Sequence, residues 1–179
     1  MMCGEEVRLI EPCFELEAEF MAMVEESVAA GEHRIWQYEQ AIENFRKYVQ
    51  DRLDWKEGKG LPDGWVPAST FWLIRSDDVI LGTSSLRHEL TEHLWKIGGH
   101  IGYNIRPSER RKGYGTAILA LTLEKATELG LKRVLVTCDN NTASAKIIER
   151  NGGRLEDKYC DDELKQAKRR YWIDLKGRE

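Results

Sequence analysis

Apolar positions recur along this chain in several rhythms, and each rhythm predicts its own element. Val7 to Ile10 is a short apolar run that Pro12 stops, which predicts a strand. Between Glu15 and Ala29 the residues Phe20, Met23, Val24 and Val28 fall at helical spacing. A second helix is predicted from Gln37 to Trp55, with Ile42, Phe45, Val49 and Leu53 on one stripe. The glycines and prolines between Lys56 and Pro67 predict a loop. Thr70 to Arg75 and Val79 to Arg87 then read as strands of a hairpin that turns at Ser76-Asp77-Asp78.

Residues 97 to 105, IGGHIGYNI, predict a strand that ends before Pro107, and a helix follows from Gly115 to Leu129, its stripe Leu119, Leu123, Ala126 and Leu129, closed by Gly130. Arg133 to Cys138 reads as a buried strand. Asn141 is placed to cap a short helix from Thr142 to Asn151, which Gly152-Gly153 stops. Two further strands are predicted, Leu155 to Tyr159 and Arg169 to Leu175, with Trp172 in the core and the pair Arg169-Arg170 on the surface. The order β-α-α-β-β-β-α-β-α-β-β predicts an α/β (α+β) fold with helices on the faces of a mixed sheet.

Composition narrows the function. With 179 residues, 41% of them hydrophobic, the chain holds enough apolar surface for one sizeable core, so a single domain over 1–179 is expected. Asp plus Glu number 31 against 27 Lys plus Arg, a balance that argues against general nucleic-acid binding. Cys3, Cys13, Cys138 and Cys160 form no CxxC pair and have no histidines at zinc-finger spacing, so reduced thiols and no metal are expected. No apolar run approaches a bilayer span, and Glu5 and Glu6 sit where a secretion signal would be basic then apolar. The expected location is cytoplasmic.

The most informative stretch is Arg110-Arg111-Lys112-Gly113-Tyr114-Gly115-Thr116, set between a strand and a helix. Its glycines remove side chains where backbone N–H groups must crowd round an anion, and the helix start adds the positive end of its dipole. Ile118 at the third glycine position excludes a dinucleotide GxGxxG, and Lys59 is followed by Gly60 rather than Ser or Thr, so the P-loop sequence is absent. A pyrophosphate suits the turn that remains.

Arg110-x-x-Gly113-x-Gly115 resembles the [QR]-x-x-G-x-[GA] signature of the GNAT acetyltransferase superfamily. The resemblance extends over about residues 98 to 153, through Ile105-Arg106-Pro107, the strand VLVTC and Asn141-x-x-Ser144. It implies the GNAT acyl-CoA N-acyltransferase fold, a mixed and mostly antiparallel sheet flanked by helices, with acetyl-CoA as co-substrate and an amine as acceptor. It further implies that the amides of Arg110 to Thr116 hold the CoA pyrophosphate. Tyr103, Asn104 and Ile105 would meet the pantetheine arm through backbone, and Asn141 and Ser144 would stand near it, Asn141 being equally readable as a plain cap. Relatives are often dimers, which leaves a homodimer as an expectation.

The chemistry defines what else to look for. An amine of pKa about 10.4 must lose a proton at neutral pH, at a cost of about 4.6 kcal/mol, so a general base is the main requirement. His100, on the strand before the loop, is the first candidate, and it reads equally as a hydrogen-bonded strand residue. Glu89 is the second, within a run of His88, Glu89, Glu92 and His93 that otherwise reads as a solvated turn. The departing thiolate, with a pKa near ~8.5, needs an acid much less. Many members of the family carry a tyrosine acid seven residues after the asparagine. Ile148 stands there in this chain, which leaves Tyr159 and Cys138 as substitutes and keeps open a non-catalytic acyl-CoA binder or sensor. Trp65, flanked by Gly64 and Pro67, reads either as local loop packing, the commoner case, or as a wall of the acceptor pocket.

Overall fold

A computed structural model describes residues 6–32, 38–139, 142–161 and 166–175. In chain order these form β1 (Val7–Ile10), α1 (Glu17–Ala29), α2 (Glu39–Glu43), α3 (Phe45–Lys56), β2 (Ala68–Arg75) and β3 (Ile80–Arg87). A π-helical turn (Leu94–Gly98), β4 (Ile101–Ile105) and α4 (Tyr114–Glu128) follow, then β5 (Arg133–Cys138), α5 (Thr142–Arg150), β6 (Arg154–Asp161) and β7 (Gln166–Asp174). No helix among the described residues is long and apolar enough to cross a membrane.

The strands form two antiparallel sheets rather than one mixed sheet, one ordered β1-β2-β3-β4 and the other β5-β7-β6. Helices α1 to α3 cover one face of the first sheet, where Phe20 stacks on Trp72 at 4.7 Å between ring centres, beside Tyr48 and Phe45. Its other face packs on α4, through Leu86, Ile101, Leu119 and Leu123, in a core that continues into the second sheet through Val134, Val136 and Tyr171. Ser84 and Thr122, buried in this interface, satisfy each other at 2.9 Å.

Three sequence expectations change, each for a local reason. The helix predicted from Gln37 to Trp55 is two helices, and Gln37 itself lies outside the described residues. Asn44 takes an extended backbone, φ −156°, and its side-chain oxygen accepts the Lys47 amide at 2.9 Å, so it caps a new helix instead of continuing the old one. The break shifts the phase of the stripe, leaving Ile42 exposed while Ala41, Phe45, Tyr48 and Val49 are buried.

The strand predicted over 97–105 begins only at Ile101, because Gly99 is left-handed at φ +68°. A Cβ at Gly99 would lie 2.7 Å from the Leu135 carbonyl oxygen, so glycine is what lets the chain press against β5 there. Arg170 is buried rather than on the surface. It donates to both carboxylate oxygens of Asp157, at 2.7 and 2.6 Å, and to the Trp95 carbonyl, and its guanidinium lies 4.1 Å from the Trp95 ring centre.

Candidate active site

The two sheets meet at one point and then part. At the seam the His100 amide donates to the Leu135 carbonyl at 2.7 Å, and the Leu135 amide donates back to His100 Nδ1 at 2.9 Å. Beyond it β4 and β5 pair in different sheets. Gly102, Tyr103 and Asn104 from β4, with Thr137, Cys138 and Asp139 at the end of β5, line a cleft of about 410 Å³ between them. Toward the helices, Tyr38, Tyr48, Arg52, Trp65, Thr70, Thr83, Ser85 and Arg87 complete its wall. Gly82 holds the β4 edge in place, since a Cβ there would collide with the Asn104 carbonyl oxygen.

At the other end of β4 the chain enters the glycine loop. Arg111 and Gly113 are both left-handed, at φ 64° and 94°, a kinked path that turns successive amides toward a common side. The amides of Thr116 and Ala117 fold back onto the Gly113 carbonyl. Those of Arg111, Lys112, Gly113 and Gly115 have no acceptor among the described residues. Four free donors at the start of a fifteen-residue helix can hold an anion. Gly115 also sits against α5, where a Cβ would come 2.7 Å from the Ile147 methyl, and Tyr114 is buried in the core below.

The side-chain charges of the loop are mostly engaged locally. Arg110 Nε donates to the Ile105 carbonyl at 2.9 Å and its Nη1 to Glu32 at 2.7 Å, and Lys112 pairs with Glu109 at 2.9 Å. These contacts make Arg110 a clip between the end of β4 and the loop, while Arg111 is left exposed. Arg106 anchors the same junction to α1, its guanidinium donating to Glu19 and Glu26, each at 2.6 Å, while Glu26 also accepts the Ser108 amide. Burial would raise the Glu26 carboxyl, but the Arg106 hydrogen bond and the Ser108 amide outweigh it and hold the carboxyl below its ordinary range.

The candidate acid and base residues are not all brought to the cleft. Burial, and after it the nearby Arg87 charge, push His100 down to about 4, and its Nδ1 lone pair is already taken by the Leu135 amide. The remaining nitrogen carries the proton in that arrangement, which leaves neither ring nitrogen with a free lone pair for an amine. Glu89 is exposed and does not line the cleft, and the neighbouring His88 faces Ser69 at 2.9 Å. Tyr159 lies on β6, below the Arg170 guanidinium and away from the cleft. Asn141 lies outside the described residues. Among the described residues no cluster of three or more potential metal ligands forms.

A different phenol is present instead. Tyr103 points its buried hydroxyl between the sheets, beside Ser144 of α5 and Cys138 of β5, and makes no hydrogen bond that meets normal geometry. Desolvation raises its pKa well above the ordinary value, so it stays a phenol. Burial likewise raises the Cys138 thiol. The resemblance implied only a backbone role for Tyr103, because a strand pattern does not show that a helix about 40 residues on begins beside its hydroxyl.

The comparisons decide the family. The model of the acetyltransferase (GNAT) domain matches residues 13–154. The chain belongs to the GNAT acetyltransferases. It is therefore an acyltransferase. Solved structures agree in fold at low identity. One is RimJ from Mycobacterium smegmatis in complex with CoA-disulfide, at 18% identity and TM-score 0.69 over 96% of this chain and 86% of that one. Another is the microcin C7 self-immunity acetyltransferase MccE with acetyl-CoA and AMP, at 17% and 0.66 over 96% and 93%. A third is spermidine N-acetyltransferase from Vibrio cholerae with CoA and spermine, at 13% and 0.61 over 94% and 95%. No curated protein matches the sequence significantly.

Proposed function

We propose that this GNAT enzyme transfers the acetyl group of acetyl-CoA to a primary amine of a small molecule or peptide by direct attack in a ternary complex. The observation that carries this reading is that one strand, β4, lines the cleft and leads into the loop of free amides. The free amides of Arg111, Lys112, Gly113 and Gly115 follow β4 in the chain, and Gly102, Tyr103 and Asn104 of that strand line the cleft that also holds Tyr48, Arg52 and Arg87. The amides would hold the pyrophosphate, the cleft the pantetheine arm and Ser144 its far side. The amine would enter past Trp65 and Tyr48. Acetyl-CoA supplies an activated acyl carbon, and the transfer forms its C–N bond as the C–S bond breaks, with one proton lost from the amine and CoA leaving as the thiol.

The residues present favour a simple proton economy. The only carboxylate lining the cleft among the described residues is Asp139, which is paired with Lys168. The amine proton therefore leaves through water, and the rate should climb with pH as the neutral fraction of the amine grows. At the leaving sulfur the Tyr103 hydroxyl acts as a hydrogen-bond donor. Full proton transfer from a phenol above its usual pKa of about 10 to a thiolate near about 8.5 would run uphill.

Tyr103→Phe is thus expected to lower kcat about tenfold, the worth of one hydrogen bond to a developing charge, with the KM for acetyl-CoA little changed. Tyr159→Phe should leave both near wild type. Steady-state rates of thiol release with a saturating amine check both, and the opposite ranking would return the acid role to Tyr159. If thiol release never depends on an amine, the chain is an acyl-CoA binder and not a transferase.

A further inference from the structure

The cleft carries charge that the transfer chemistry does not use. Four charged side chains line it among the described residues: Arg52, Arg87, Asp139 and Lys168. Asp139 and Lys168 form an ion pair and offset each other. The two arginines remain.

Arg87 projects from β3 on the same face as Thr83 and Ser85, and it meets only carbonyl oxygens. Its Nη1 donates to Gly99 at 3.0 Å and, at the limit of a hydrogen bond, to Gly98 at 3.4 Å. Among the described residues no carboxylate pairs with it, although burial is enough to lower its pKa. Arg52 projects from α3 with its guanidinium 4.6 Å from the Tyr48 ring centre and 4.2 Å from that of Trp55. Its Nη1 is buried and has no hydrogen-bond partner among the described residues. Asp51, beside it in sequence, directs its carboxylate to Lys47 and Gln40. Flat aromatic surfaces thus fix the plane of one guanidinium, and two carbonyls tether the other.

Two guanidinium groups line one cleft with no ion-paired carboxylate among the described residues, and they gain when a ligand brings oxyanions that accept their remaining N–H donors. A polycation meets the opposite situation, with like charges facing each other in a partly dry pocket. We propose that the acceptor amine carries a carboxylate or a phosphate group, bound by Arg87 and Arg52, so that the enzyme selects anionic amines and discriminates against polyamines. This rests on the acetyltransfer reading given above. Trp65, which lines the same cleft 5.2 Å from the Trp55 ring, closes the outer side of the pocket and gives the body of such an acceptor an apolar surface.

Matched amines test it. The kcat/KM values of β-alanine and β-alaninamide, and of phosphoethanolamine and ethanolamine, are measured with acetyl-CoA, with spermidine as the polycation and with the Kd for acetyl-CoA determined on the same preparation. The acidic member of at least one pair should be favoured by about tenfold or more, the pair showing which oxyanion fits, and spermidine should be the poorest. Arg87→Met should reduce that preference to about threefold or less, through the KM of the acceptor, at an unchanged acetyl-CoA Kd. Arg52→Met, on a separate element, should act in the same direction even if the first variant folds poorly. Equal or reversed preference within both pairs, spermidine as the best acceptor, or no turnover of either acidic member, with acetyl-CoA binding intact, overturns the anionic assignment alone. Absence of acetyl-CoA binding overturns the acetyltransfer reading beneath it.

Discussion

Gly113→Val should weaken acetyl-CoA binding by at least about a hundredfold. Gly113 precedes the first residue of α4 and holds φ 94°, a left-handed conformation in which a β-branched residue is strained. To relieve that strain the loop must rotate, and the amides of Lys112, Gly113 and Gly115 then no longer point to one place. Each hydrogen bond to a charged phosphate is worth roughly 1.5–3 kcal/mol, so losing two of them accounts for a loss of that size. The strain itself costs about 1–3 kcal/mol of stability, which a thermal melt resolves separately from the calorimetric Kd. A folded Gly113→Val protein that binds acetyl-CoA as tightly as the wild type would remove the loop from the binding site.

His100 should make the fold acid-labile in a window where carboxylates do not. Its folded pKa of about 4 lies below the unfolded value of about 6.5, so the unfolded chain takes up a proton first as the pH falls. The stability this group contributes is present above about pH 6.5 and is lost as the pH falls toward about 4. Between about pH 7 and pH 5 the loss is on the order of 2 kcal/mol. His100→Asn offers the Leu135 amide another acceptor but cannot titrate. It should be less stable at neutral pH, with a distinctly flatter decline to pH 5 in denaturant titrations. At pH 8 the folded variant should keep most of its amine-dependent turnover. A fall of several orders of magnitude there, with acetyl-CoA binding intact, would restore His100 as the base.

These two residues show how unevenly the sequence exposes its function. The anion loop is legible because its requirements are local: glycines at fixed offsets, a strand before and a helix after, all within one short stretch. The hairpin β2–β3, the strand β5 and the helix α4 are legible for the same reason, since alternation and helical spacing are local too. The surroundings of His100 are not legible, because the group that occupies its lone pair is a backbone amide 35 positions away, Leu135, brought there by the approach that Gly99 permits. Arg170 looks like a surface charge until the β6–β7 hairpin brings Asp157 to its guanidinium. Arg52 and Arg87 lie on a helix and a strand with no shared motif. Only the alternation of Thr83, Ser85 and Arg87 along β3 hints that one face of that strand is polar.

The most direct single measurement follows thiol release and amine acetylation together, by absorbance and by mass, in a reaction of the protein with acetyl-CoA and a mixed panel of primary amines. Thiol release that requires an amine, matched one for one by acetylated product, is the expected result. Saturable acetyl-CoA binding with no amine-dependent thiol release and no acetylated amine would contradict it.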